Sequence, residues 1–68
     1  MCIRELIDQF EIQGRYHIKM WDDNVMDYET FAKGNDFESD YYDIADDILE
    51  RRISYMYAID GVLNIEVE

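Results

Sequence analysis

The first ten residues follow a helical period. Apolar side chains recur at the spacing of one helix face, at Ile3, Leu6, Ile7 and Phe10. This spacing predicts a short helix over residues 3–10. Because an isolated helix of this length is marginal in water, its apolar face must pack against the rest of the chain.

The period changes to two between residues 10 and 20. Polar residues alternate there with an apolar set: Phe10, Ile12, Tyr16, Ile18 and Met20. The alternation predicts a strand with one face on the core and the other toward water. Gly14 interrupts the apolar side, which indicates a bulge or a close backbone approach. The residues that follow, Asp22, Asp23 and Asn24, are typical of a turn.

Residues 25–34 fit two patterns. Their side chains alternate in a way that favours a second strand paired with the first. A short helical turn capped by Thr30 is the alternative. Gly34 and Asn35 end the segment in either interpretation.

Residues 36–50 predict an extended piece followed by a helix. If residues 36–40 are extended, alternate acids point the same way at intervals of about 6.6 Å. Residues 43–50 favour a helix with Asp43 as its N-cap and Asp46 in its first turn. The apolar side of this helix consists of Ile44, Ala45, Ile48 and Leu49.

The last part of the chain predicts a β-hairpin. Asp60-Gly61 lies between two runs rich in β-forming residues, which is typical of a type I′ turn. A two-residue loop pairs Ile59 with Val62, and the register continues from there. The predicted pairs are Ala58–Leu63, Met56–Ile65 and Ser54–Val67 on an apolar face, and Tyr57–Asn64 and Tyr55–Glu66 on a mixed, partly wet face.

The 68 residues therefore predict a single domain of the α+β class, spanning 1–68. The expected architecture is a small antiparallel sheet of three to four strands with two short helices on one face and a C-terminal hairpin turning at Asp60-Gly61. A core of this size gives marginal stability, which dimerisation or a large partner would raise.

The charge is acidic and regional. The chain has 17 acids and 6 bases, for a net charge of −11. Residues 22–50 hold eleven of the acids and only one base, Lys33, whereas the remainder is nearly balanced. Nucleic acid and anionic membranes are therefore poor direct partners, and basic proteins are good ones.

The sequence contains no recognisable catalytic set, so we expect no enzyme and no cofactor. His17, the only histidine, falls on the polar side of a strand without a nameable partner. Cys2 lacks an activating histidine, and Ser39 and Ser54 lie in no nucleophile motif. A lone cysteine and the lack of a membrane-length apolar run or a signal peptide favour a cytoplasmic location.

A calcium loop is matched only in part. Asp36, Glu38 and Asp40 have the alternating spacing of its first half, and Asp47 falls at its twelfth position. Tyr41 occupies the position where the sharp turn requires glycine, and the twelfth position requires glutamate. We therefore expect no specific metal site.

The spacing of the acids suggests an ordered charged surface. In the predicted helix, Asp43, Asp46, Asp47 and Glu50 would form one stripe with neighbours about 5–6 Å apart. DNA carries one phosphate charge per about 1.7 Å of its axis, so such a row is a coarse imitation of DNA. The alternative is a solvated face that only aids solubility.

Aromatic side chains within the acidic segment would supply contact anchors where they are exposed. The predicted partner-binding residues are Asp22, Asp23, Asp27, Glu29, Asp36, Glu38, Asp40, Asp43, Asp46, Asp47, Glu50, Tyr41 and Tyr42. The corresponding partner is a basic, nucleic-acid-binding protein.

The run WDDNVMDYETFAKGNDFESDYYDIADDILE, followed by ISYMYAIDGVLNIEVE, resembles the small acidic proteins carried by phages and mobile elements of Gram-positive bacteria. Among these, the chain is similar in size, charge and architecture to anti-CRISPR proteins, without sharing a diagnostic motif. Several anti-CRISPR proteins imitate DNA and occupy the basic site of an RNA-guided nuclease. The resemblance implies a non-enzymatic inhibitor of such a partner.

Two other functions fit the sequence. A structural or assembly module could form a homodimer through an edge strand of the sheet, with the acids serving solubility. A small cation-dependent binding module is the third alternative.

Overall fold

The computed structural model describes residues 1–68. Its elements are α1 (Ile3–Gln9), β1 (Arg15–Asp22), β2 (Asp27–Gly34), α2 (Phe37–Asp40), a 3-10 helix (Tyr41–Asp43), α3 (Asp46–Leu49), β3 (Ile53–Ile59) and β4 (Val62–Val67). The four strands form one sheet in the order β2-β1-β4-β3. The predicted α+β class and its C-terminal hairpin are confirmed. None of the helices is long and apolar enough to span a membrane.

The sheet is mixed, whereas we expected only antiparallel pairs. The β1–β2 and β3–β4 pairs are antiparallel, but β1 and β4 run parallel, with Arg15 opposite Val62 and Lys19 opposite Glu66. Residues 35–52, here called the crossing segment, connect β2 at one edge of the sheet to β3 at the other. The hairpin then returns β4 to the centre of the sheet, beside β1. In this position β4 has the most buried residues of the four strands.

The hydrophobic core lies between the helices and one face of the sheet, here called the covered face. Its buried apolar residues are Ile3 and Leu6 from α1, Phe37, Ile44 and Leu49 from the crossing segment, and Tyr16, Ile18, Ile65 and Val67 from the sheet. The other face of the sheet, here called the open face, has no helix packed on it. The polar alternation of β1 places His17 and Lys19 on the open face.

The predicted first strand begins later than expected. Residues 10–14 form no strand, and β1 starts at Arg15. Gly14 has a φ of +89°, and its carbonyl oxygen accepts the Phe37 N–H at 2.9 Å. Gly14 therefore turns the chain instead of bulging a strand. Phe10, placed with the apolar face of α1 by its spacing, lies just beyond the helix and is 58 % exposed.

Residues 27–34 form the strand β2, so the helical alternative for this region is wrong. The β1–β2 pair contains an irregularity at its middle, where Ile18 faces Ala32 and Lys19 faces Thr30. Phe31 is the extra residue. Its ring packs against the core and lies 4.8 Å from the guanidinium carbon of Arg51.

The type I′ turn is confirmed, since Asp60 and Gly61 both have positive φ values, of 53° and 76°. The predicted register holds from the turn to the Tyr55–Glu66 pair. It fails at the far end, where a bulge places Ile53 and not Ser54 opposite Val67. Ser54 instead donates a hydrogen bond from Oγ to the Glu66 carbonyl oxygen at 3.1 Å.

The crossing segment differs most from the prediction. Residues 37–40 are helical and not extended, with Asp36 as the N-cap that accepts the Ser39 N–H at 3.4 Å and the Ser39 hydroxyl at 2.9 Å. The predicted helix over 43–50 is divided, because Ile44 is extended and α3 begins only at Asp46. Asp43 therefore ends a 3-10 helix and caps nothing.

Two physical causes divide this region. Phe37, Ile44 and Leu49 are all buried, and short helical pieces let each of them reach the covered face in turn. A continuous helix would also place four like charges at i, i+3, i+4 and i+7, which destabilises it. The single acidic stripe expected from the sequence is consequently absent.

The open face carries a polar and aromatic cluster around Lys19, here called the Lys19 cluster. The ammonium group of Lys19 lies 4.4 Å from the ring centre of Tyr28 and 5.4 Å from that of Tyr57. It also donates to Asn64 Oδ1 at 3.1 Å. Glu66 is only 8 % exposed. Its hydrogen bond is the largest cause that raises the pKa of Tyr57. For Tyr28, desolvation is the largest cause of the raised pKa, and Glu66 is the second.

Candidate functional site

The structure divides the eleven predicted acids into two groups. Four of them belong to the β1–β2 hairpin: Asp22, Asp23, Asp27 and Glu29. The other seven lie on the crossing segment: Asp36, Glu38, Asp40, Asp43, Asp46, Asp47 and Glu50. The crossing segment holds the larger group, so it is the main candidate site.

Most of these carboxylates face water. Nine of the eleven residues are exposed, and Asp22 and Asp40 are half-buried. The hairpin acids are engaged locally, since Asp22 accepts the Asn24 N–H at 2.9 Å and Asp27 accepts the Tyr28 N–H at 2.7 Å. These contacts order the turn. Because the donors are uncharged backbone N–H groups, the carboxylates are not neutralised.

One base from outside the acidic region neutralises part of it. Helix α1 brings Arg4 to α3, where its Nη2 atom lies 3.2 Å from Asp46 Oδ1 and 3.9 Å from Glu50 Oε1. The hydrogen bond to Asp46 is the largest cause that raises the pKa of Arg4. Because both carboxylates remain mostly exposed, the pairs contribute little to stability. No local pattern indicates this contact, because it joins residues more than forty positions apart.

Asp40 is fixed by the sheet. Its Oδ2 atom accepts a hydrogen bond from the Tyr16 hydroxyl at 2.9 Å. Desolvation and this contact raise the pKa of Tyr16 to about 12. Gly34 makes the approach possible, because a Cβ atom there would meet the Asp40 carboxylate and lie 3.0 Å from the Tyr16 ring. Asp40 thus anchors α2 to β1 and β2.

Tyr41 and Tyr42, both predicted as contact residues, differ in burial. Tyr41 is half-buried and packs against the core, with its ring stacked 6.4 Å from that of Phe37. Tyr42 is 85 % exposed, and its ring lies 5.2 Å from that of Tyr41. A series of rings therefore leads from Tyr16 through Phe37 and Tyr41 to the surface.

The end of this series lines an open groove of about 350 Å³, here called the aromatic groove. Its apolar lining comes from Ile7, Phe10, Ile12, Phe37, Tyr41 and Tyr42. Asp8, Glu11 and Glu38 stand at its rim, and all three are exposed. Three of these residues were not predicted as site residues. The spacing assigned Phe10 to the core. Asp8 and Glu11 lie outside residues 22–50, the region to which the excess of acids was assigned.

His17 lies on the polar side of β1, as its position in the alternation predicted. Its Nε2 atom lies 2.8 Å from the Thr30 hydroxyl. Desolvation, followed by the charges of Lys19 and Lys33, lowers the pKa of His17. The ring lies on the open face and forms no ion pair with a carboxylate. No group of three or more His, Cys, Asp or Glu side chains converges on a common point.

Comparison of the chain with protein-family models, with curated proteins and with solved structures gives no match.

Proposed function

We propose that the protein is a non-enzymatic inhibitor that binds a basic, nucleic-acid-binding surface of another protein by imitating DNA phosphates. An RNA-guided nuclease is one partner of this kind, and the bacterial cytoplasm is the proposed setting, where a lone thiol stays reduced. The observation that carries the proposal is the exposure of nine of the eleven acids in residues 22–50 on a folded chain with a net charge of −11.

The arrangement supports binding to a basic surface more than simple solubility. Five of the seven acids of the crossing segment have no ion pair with any base of the chain. Their backbone is nevertheless fixed, because Phe37, Ile44 and Leu49 anchor the segment in the core. Unpaired charges on a fixed backbone lose less conformational entropy on binding than charges on a flexible segment. They also accelerate association with a positive surface, and salt screens this effect.

The first prediction concerns two unpaired acids, Asp43 and Asp47. We expect the Asp43→Asn/Asp47→Asn variant to bind a captured basic partner about tenfold more weakly at low ionic strength, mainly through slower association. The partner is first isolated from a bacterial lysate at low salt and eluted at high salt. Surface plasmon resonance across a salt series then gives both rate constants.

The matched control removes the same charge elsewhere. Asp60→Asn/Glu68→Gln also removes two negative charges, but from the hairpin turn and from position 68. The proposal predicts near-normal affinity of this control for the partner. It also predicts that double-stranded DNA displaces the wild-type protein from the partner. Equal losses in the two variants, or simultaneous binding of DNA and the protein, would show that the acids do not imitate phosphates.

A second candidate function is a homodimeric assembly module, supported by the position of β3. This strand lies at the edge of the sheet and contains no charged residue. Tyr55, Met56 and Ile59 are 68 %, 47 % and 57 % exposed. Because Ile59 and Val62 form the hydrogen-bonded pair next to the turn, the alternation directs the backbone groups of Met56 and Ala58 outward. An antiparallel second copy could therefore pair Met56 with Ala58 across a two-fold axis.

Light scattering after size exclusion tests this second function. A dimer should have twice the monomer mass, and the edge charge of Met56→Lys should reduce it to a monomer. Met26→Lys makes the same chemical change at a 71 % exposed position in the β1–β2 turn and should leave the dimer intact. A monomeric wild-type chain at high concentration would eliminate the assembly function.

A further inference from the structure

The aromatic groove combines exposed rings, a concave shape and unpaired carboxylates. Phe10 and Tyr42, 58 % and 85 % exposed, stand at its surface, and the half-buried ring of Tyr41 lies between Tyr42 and the core. Large apolar side chains exposed together at a concave site are typical of binding surfaces. The ring series behind them keeps this wall in place, since Phe37 is buried and contacts Tyr16 edge-to-face at 5.0 Å.

The charges at the rim determine what the groove can accept. Asp8 lies on α1, Glu11 in the loop that follows it and Glu38 on α2. None of the three is paired with a base of the chain. Glu11 accepts only the Gln13 side-chain amide at 2.9 Å. An anionic ligand would be repelled by these carboxylates, and a purely apolar ligand would remove water from them without pairing their charge. A cation with a flat, weakly hydrated surface satisfies both the rings and the acids.

We propose that the aromatic groove receives an arginine side chain of the basic partner, an inference that rests on the proposed function. The guanidinium group stacks on aromatic faces and also donates paired hydrogen bonds to carboxylates. A lysine ammonium is more strongly hydrated and gains less from the rings. The acids of the crossing segment provide general attraction to a basic surface, and the groove provides preference for arginine within that surface.

Two peptides of equal charge test this inference without knowledge of the partner. Fluorescein-labelled nona-arginine and nona-lysine are titrated with the protein at physiological salt, and fluorescence anisotropy gives both dissociation constants. We expect nona-arginine to bind about threefold to tenfold more tightly. Tyr42→Ala and Phe10→Ala should each reduce this ratio, and the double variant should bring it close to one while nona-lysine affinity is unchanged.

Three further variants separate the causes. Tyr42→Leu keeps an apolar side chain but removes the ring, so it should lower the arginine preference as Tyr42→Ala does. Tyr55→Ala removes an exposed ring from β3 and should leave the ratio unchanged. Glu38→Gln should weaken nona-arginine binding more than nona-lysine binding, because it removes the paired hydrogen bonds. Circular dichroism of each variant confirms that it remains folded.

The outcomes distinguish this inference from the proposed function. If nona-arginine and nona-lysine bind the wild-type protein equally, or if the preference survives in the Phe10→Ala/Tyr42→Ala variant, the arginine site is wrong while the acidic inhibitor stands. If neither peptide binds when the same titration is repeated at low salt, both proposals are wrong.

Discussion

The Phe37→Ala variant should be largely unfolded at room temperature. Phe37 is 2 % exposed and joins the crossing segment to the sheet through its contact with Tyr16. Removing a buried phenylalanine costs about 3–5 kcal/mol, because it eliminates apolar contacts and leaves a cavity. A domain of this length has a total stability of only about 3–10 kcal/mol. The loss is therefore comparable to the whole free energy of unfolding.

Phe10→Ala provides the matched control for this measurement. It makes the same chemical change at a side chain that is 58 % exposed, so its unfolding midpoint should lie close to that of the wild type. Urea denaturation followed by circular dichroism compares the three proteins. Similar midpoints for Phe37→Ala and the wild type would mean that the crossing segment is not anchored in the core as described.

Alkaline pH should destabilise the protein strongly. The pKa of Tyr16 is raised to about 12, whereas an unfolded tyrosine ionises near its ordinary value of 10.0. Between these values the unfolded chain binds fewer protons than the folded one, so the free energy of unfolding falls as pH rises. Tyr16 alone should account for roughly 1–2 kcal/mol, less than the about 2.7 kcal/mol of a full two-unit shift, since solvent near the hydroxyl weakens the effect.

Tyr28 and Tyr57 act in the same direction. In the folded state desolvation and Glu66 raise the pKa of Tyr28, and the hydrogen bond to Glu66 raises that of Tyr57. Thermal unfolding at a series of pH values from neutral to about 12 measures the combined slope. Tyr16→Phe should lose about 1 kcal/mol at neutral pH with its hydrogen bond to Asp40, and its decline above pH 10 should be shallower. Tyr42→Phe, which removes a surface hydroxyl, is the control. An unchanged slope in Tyr16→Phe would contradict the assigned cause.

Local patterns in the sequence were sufficient for the parts of the fold that depend on neighbouring residues. The Asp60-Gly61 turn specifies its own backbone geometry, so the hairpin and most of its register could be predicted. The alternation of Tyr16 to Lys19 likewise identified a strand with one buried face. These features arise from φ/ψ preferences and side-chain direction, which act over a few residues.

The parts that could not be predicted depend on contacts between distant residues. Nothing within β4 indicates that it pairs in parallel with β1 about 47 positions away, a partner set by the path of the crossing segment. The division of residues 36–50 into three short helical pieces depends on where Phe37, Ile44 and Leu49 meet the core. Helical spacing alone cannot detect that requirement.

The candidate site shows the same division. The acidic composition of residues 22–50 was evident from the sequence, and most of those side chains are exposed. Two contacts of the N-terminal region were not evident from the sequence. Arg4 pairs with Asp46, and Asp8, Phe10 and Glu11 lie beside Tyr42. Both depend on the position of α1 relative to the crossing segment.

The central position of β4 also constrains how the chain folds during synthesis. The ribosome releases β1 and β2 first, and at that stage the backbone groups of β1 that later bond to β4 have no partner. The sheet is completed only when residues 62–67 emerge, since they supply the strand between the two earlier edges. Such late, long-range closure slows folding and leaves an unpaired strand edge exposed in the nascent chain.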